Sequence, residues 1–136
     1  MIRLVREPID KLEITNELRK DVDGAMVTFD GVVRNHAMGK PVRYLEYEAY
    51  EEMALKKMAE IREYAKQKWP VSDVAIVHRL GRLEIGETSV FIAVAAPHRR
   101  PAFEACQYAI DTLKKTVPIW KKEYYTNGEA WIEGQS

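Results

Sequence analysis

The sequence predicts an α+β fold with a largely antiparallel sheet, and three observations lead to it. Short runs rich in β-branched and aromatic residues alternate with longer segments whose apolar residues recur at helical spacing. One run, Ser89 to Ala95, is apolar almost throughout and suits a buried strand at the centre of the sheet. Near the C-terminus, Asn127-Gly128 separates two strand-like runs, and its readiness for positive φ makes it a hairpin signal.

Taken in order, Ile2 to Val5 reads as a short strand and Pro8 to Lys20 as a helix ending near Asp23-Gly24, where glycine suits a left-handed helix end. Ala25 to Phe29 and Gly31 to Val33 read as strands, Asn35 to Pro41 as a polar loop, and Val42 to Tyr47 as extended again. Between Tyr50 and Trp69, apolar Met53, Met58, Ile61, Ala65 and Trp69 recur among lysines and glutamates, the pattern of an amphipathic helix that Pro70 ends. Asp73 to Leu80 is a strand, Gly81 to Gly86 a turn region, and Ser89 to Ala95 the central strand. Pro101 to Thr116 carries Ala102, Ala105, Cys106, Ala109, Ile110 and Leu113 on one helical face, with proline tolerated in the first turn because its missing donor has no partner there. Ile119 to Tyr125 and Ala130 to Ile132 form the C-terminal β-hairpin.

With 136 residues, 46% of them hydrophobic, the chain is expected to form one domain, 1–136, with a real core. Its 21 basic and 21 acidic residues cancel, which removes the electrostatic reason to expect a nucleic-acid or membrane partner, so any anion site is local. No run approaches a membrane span, and the start, MIRLVREPIDKLEI, lacks the apolar segment of a signal peptide; a cytoplasmic protein is expected. The single cysteine, Cys106, excludes an internal disulfide, and His36, His78 and His98 lack the close pairing of a zinc motif. Neither a metal nor a cofactor is expected.

Chemistry concentrates at three places. Pro97-His98-Arg99-Arg100-Pro101 joins a buried strand to a helix start, where free backbone donors and the helix dipole favour an anion; a solvated arginine pair beside a capping histidine would look the same. Lysines lie on both sides of a second junction, Lys114 to Glu123, around Pro118 and Trp120. If Lys114 and Lys121 share a pocket, each lowers the other's pKa and one can move a proton or act as a nucleophile near neutral pH; lysines that merely complement a helix end are the alternative. Arg34 closes a β-rich run and opens a polar loop, an arrangement that presents a guanidinium fork to a carboxylate or phosphate, or forms a surface salt bridge. His78, inside an apolar strand, reads as a satisfied structural histidine, and Cys106 as a buried small hydrophobe.

In combination, Phe29 to Arg34, Leu45 to Tyr50, His78-Arg79-Leu80-Gly81 with Leu83 to Gly86, Pro97-His98-Arg99 and Pro118-Ile119-Trp120-Lys121 resemble, in order and spacing, the molybdopterin synthase catalytic (large) subunit family, from roughly Ile2 to Glu133. The resemblance implies an α/β hammerhead-type domain that forms a homodimer, with a small ubiquitin-like subunit docked at each end of a heterotetramer. It implies that the small subunit's Gly-Gly tail, activated as a thiocarboxylate, delivers two sulfurs to cyclic pyranopterin monophosphate to make molybdopterin, in molybdenum cofactor biosynthesis. Position by position, Lys114 and Lys121 match the family's active-site lysines, and Val32, Val33, Arg34, His98, Arg99, Lys122 and Glu123 match its substrate-binding positions. In some members the C-terminal tail lends a basic residue to the neighbouring subunit's pocket; here the tail is Gly134-Gln135-Ser136, with Arg100 a candidate to replace it.

Two further readings compete. A non-catalytic module would capture a ubiquitin-like tail with the same groove, its lysines pairing only the terminal carboxylate. An unrelated enzyme on phosphorylated metabolites would use the strand-to-helix junction for phosphate and Lys121 as base, with no protein partner.

Overall fold

The computed structural model describes residues 1–37, 39–126 and 128–132. Of the positions singled out in the sequence, Met38 in the polar loop, Asn127 in the hairpin turn, Glu133 and the tail 134–136 lie outside the described residues. Among those described, the order is β1 (Ile2–Val5), α1 (Lys11–Leu18), β2 (Ala25–Val32), β3 (His36–Ala37), β4 (Lys40–Ala49), α2 (Glu51–Lys68), β5 (Asp73–Arg79), β6 (Gly81–Glu84), β7 (Thr88–Ala96), α3 (Arg99–Thr116), β8 (Ile119–Tyr125) and β9 (Gly128–Ile132).

The first sheet runs β1-β5-β7-β2, with β7 antiparallel to both neighbours and β1 parallel to β5. Both faces are covered, which is why β5 and β7 are nearly continuous apolar runs instead of alternating ones. On one side Val74, Ile76, Val90, Ile92 and Val94 meet the buried stripes of α2 and α3; on the other Ala75, Val77, Phe91 and Ala93 meet Ile14 and Leu18 of α1. In the second sheet β4 pairs along one edge with β8 and along the other with β3 and β6, and β9 pairs beyond β8. Its strands alternate, sending Leu45, Tyr47, Leu83, Lys121 and Glu123 inward. Outside, Tyr44 and Tyr124 stack at 4.3 Å and the Arg82 guanidinium lies 3.8 Å from the Tyr44 ring centre.

Several elements differ from the sequence expectation. Helix α1 is shorter, starting at Lys11 because the Asp10 carboxylate accepts from the Glu13 amide, and ending at Leu18. Asp30-Gly31 does not interrupt β2, which runs through to a bulge between Gly31 and Val32. The expected loop holds β3, and the expected turn after Leu80 holds β6, whose Leu83 is fully buried against β4. In α2 the buried stripe is Ala54, Met58, Ile61 and Ala65; Met53, one residue and about 100° off that stripe, is exposed. Helix α3 begins at Arg99, so Pro101 occupies its third position, still within the first turn.

Gly24 does not end a helix in a left-handed conformation. It lies where the chain enters β2 beside the end of β7, its N–H donating to the Ala96 carbonyl at 3.1 Å. A Cβ there would stand 2.6 Å from the Pro97 carbonyl oxygen, a backbone atom with no rotamer to escape by. Gly24→Ala is therefore expected to lower the stability in urea unfolding by about 1–3 kcal/mol, the usual cost of overpacking, without changing the unfolding slope.

Candidate active site

Where the two sheets meet beside the C-terminal end of α3, a cavity of ≈ 240 Å³ opens. Strand β2 and the residues after it contribute Val32, Val33 and Arg34; β4 contributes Tyr47, β7 Ser89, α3 Lys114, and β8 Lys121 and Glu123. The last pair share a face because residues two apart on a strand point the same way, and the β4–β8 register sets Tyr47 opposite Lys121 and Leu45 opposite Glu123. Lys114 reaches the cavity from the last turn of α3, where its charge complements the helix dipole.

The cavity holds three cations on different elements, Arg34, Lys114 and Lys121, with the carboxylates Glu123 and Asp30. Asp30 is engaged at the rim by Lys11 Nζ at 2.6 Å and by the Thr88 hydroxyl at 2.7 Å. Glu123 is buried, with one oxygen 3.7 Å from Lys121 Nζ and the other accepting from the Tyr125 hydroxyl at 2.6 Å. Burial pulls the Lys121 ammonium below the ordinary lysine range; Glu123 pushes back, while the charges of Arg34 and Lys114 pull it further down. Burial likewise raises the Tyr47 phenol, its bond with Ser89 opposing and the Glu123 charge reinforcing that shift. The site thus offers a lysine that gives up its proton more readily than an exposed one, inside a positively lined pocket that attracts anions.

The structure brings together six of the nine residues singled out from the sequence, Lys114, Lys121, Val32, Val33, Arg34 and Glu123. Lys122 faces the other way, its Nζ 5.2 Å from the centre of the Tyr124 ring on the outer side of the sheet. His98 and Arg99 border a separate, shallow depression with Arg100, Phe103 and Glu104 at the N-terminal end of α3. At about 1.5 Å per residue, the fifteen-residue step from Arg99 to Lys114 is roughly 22 Å along the helix. Arg100 pairs with Glu104 at 3.2 Å. Tyr47, Ser89 and His36, not singled out for the site from the sequence, also line the cavity; strand alternation marks Tyr47 as inward-facing, but its neighbours depend on a register that local sequence does not carry.

His78 is fully buried, with Nδ1 2.8 Å from the Arg79 carbonyl, which fixes that nitrogen as the donor, and its ring edge-on to Tyr47. Cys106 is buried in the α3 stripe, away from the cavity, and burial pushes its thiol up to about 11. Both have the structural roles expected of them.

The family model of the MoaE protein matches residues 4–116. The chain belongs to the MoaE family. It is 45% identical to the molybdopterin synthase catalytic subunit of Halalkalibacterium halodurans, over 97% of this chain and 85% of that protein. The crystal structure of molybdopterin synthase from Staphylococcus aureus superposes with a TM-score of 0.91 at 44% identity, covering 95% of this chain and 94% of that one. The fold also recurs, at 23% identity and a TM-score of 0.80 over 96% of this chain and 88% of that one, in the complex of subunits 1 and 2 of the molybdopterin-converting factor of Helicobacter pylori. As a member of the MoaE family the chain is an enzyme, a molybdopterin synthase catalytic subunit acting in molybdenum cofactor biosynthesis. That sets aside the non-catalytic module and the unrelated phosphometabolite enzyme, and the MoaE structures share its three helices and two sheets. No helix among the described residues is long and apolar enough to cross a membrane.

Proposed function

We propose that this chain converts cyclic pyranopterin monophosphate to molybdopterin in two successive transfers, each taking one sulfur from the C-terminal thiocarboxylate of a small ubiquitin-like subunit, whose tail leaves as a carboxylate. The observation that carries this reading is the convergence of Arg34, Lys114 and Lys121 on one cavity in a chain whose single thiol is buried elsewhere. A sulfur transferase without an accessible cysteine needs its sulfur brought in, and an acyl thiocarboxylate tail is an anion that such a pocket attracts. Lys121, already inclined to lose its proton, handles protons as the thiocarboxylate sulfur attacks the pterin side chain; Lys114 stabilises developing charge, or its amine takes over the acyl carbon as the acyl C–S bond breaks and the sulfur stays on the pterin. Val32, Val33, Arg34 and Glu123 shape the substrate end of the cavity, and Lys122 acts from the outer face of the same strand. The whole assembly works in the cytoplasm.

The place of His98 and Arg99 supports a homodimer within a heterotetramer. Some 22 Å of helix separates them from Lys114 in one chain, so they reach a phosphate in this cavity only from a second copy. In the Helicobacter pylori structure the same fold stands in complex with a second subunit, which supports the small-subunit partner here.

The test is reconstitution with a thiocarboxylated small subunit and cyclic pyranopterin monophosphate, reading molybdopterin by the fluorescence of its oxidised derivative. Product is the expected result. Partner binding without product, under conditions where another synthase turns over, overturns the sulfur-transfer reading.

A further inference from the structure

Lys121, Glu123 and Tyr125 occupy alternate positions of β8 and are all buried, so their side chains form one row on the inner face of the sheet. The Tyr125 hydroxyl donates to Glu123 Oε1 at 2.6 Å, the short distance of an O–H group bonded to a carboxylate. The other oxygen, Oε2, is the one that faces Lys121, at 3.7 Å, longer than a tight ion pair. Lys40 Nζ lies 5.5 Å from the centre of the Tyr125 ring.

We propose that Tyr125 is a positioning residue: its hydroxyl fixes one oxygen of Glu123 and so limits how closely that carboxylate can pair with Lys121. The proposal rests on the reading of Lys121 as the proton-handling group, and assigns to its neighbours the control of its charge. Held by Tyr125, the carboxylate spends part of its negative charge on a phenol and cannot rotate both oxygens towards the ammonium. Freed from Tyr125, it closes on Lys121 and keeps it protonated; replaced by a neutral amide, it takes away the negative charge that opposes the pull of Arg34 and Lys114 on the Lys121 ammonium. Asp30, His36 and Tyr47 also line the cavity, and of these Tyr47 feels the Glu123 charge, which helps to raise its phenol and which Glu123→Gln removes. Tyr125→Phe and Glu123→Gln should therefore move the titration of Lys121 in opposite directions, which a general loosening of the strand would not do.

The experiment follows the side-chain resonance of Lys121 in the full chain labelled at lysine Cε, assigned by its absence from Lys121→Arg, across a pH titration. The midpoint in Tyr125→Phe is expected to lie about half a pH unit above wild type, and that in Glu123→Gln about one pH unit below it. A Tyr125→Phe curve that superimposes on wild type, or moves down with Glu123→Gln, overturns the proposal. The same variants, assembled with the thiocarboxylated small subunit, are then assayed for the pH dependence of single-turnover product formation. Profiles that move with the titrations join the positioning role to catalysis. Titrations that move while the rate profiles stay fixed leave Tyr125 in place as a positioning residue and refute the proton-handling role of Lys121.

Discussion

Lys121→Ala is expected to lower single-turnover formation of molybdopterin by about a hundredfold or more, the scale of a lost acid or base, while the small subunit still binds. Lys121 is the most buried cation of the cavity, and its surroundings already favour release of its proton. An alanine removes both the proton carrier and a positive charge. Lys121→Arg separates the two, because a guanidinium keeps the charge but does not deprotonate in a protein. If proton transfer is the role, the arginine variant is as slow as the alanine variant; an arginine variant with near wild-type rate would reduce Lys121 to an electrostatic anchor. Circular dichroism of each variant, matched to wild type, secures the comparison.

The second large effect concerns two inactive chains that restore each other. Arg99→Ala, like Lys121→Ala, is expected to give little product alone, since in the proposed homodimer with shared sites each dimer then lacks one component at both sites. Co-assembled, half of randomly paired dimers are mixed, and each mixed dimer regains one intact site from Lys121 of one copy and Arg99 of the other. Activity should therefore return to about a quarter of wild type. No recovery in a verified mixed dimer would mean that each cavity is complete within its own chain, against the distance between Arg99 and Lys114. Single-chain repair is excluded by mixing after translation.

Much of the fold was legible because burial on both sides leaves a clear signature. The apolar runs that became β5 and β7, and the alanine-rich stripe of α3, need only local periodicity to be recognised. What local sequence misjudged were elements fixed by distant partners. Four residues, Gly81 to Glu84, are a strand because Leu83 finds the buried face of β4, and Asp30-Gly31 stays within β2 because β7 pairs across it. Gly24 was recognised as a special position, but for the wrong reason: the constraint is a carbonyl contributed from residue 97. The site divides in the same way. Arg34, Lys114 and Lys121 were identified as chemistry-bearing groups from residue type and junction, whereas the Tyr125 to Glu123 bond and the facing of Lys122 follow from pleat and register.

Helix α3 runs unbroken for eighteen residues, with Arg99 at one end, Lys114 near the other, and a buried face locked against the first sheet. In a two-fold assembly with shared sites, such a rod is a ruler: its residue count sets the spacing between neighbouring reaction centres, and its stiffness makes them parts of one lever. A disturbance at its middle, for instance a bulkier residue at Ala105 or Ala109, would tilt both ends together and be felt in two catalytic centres at once without touching either.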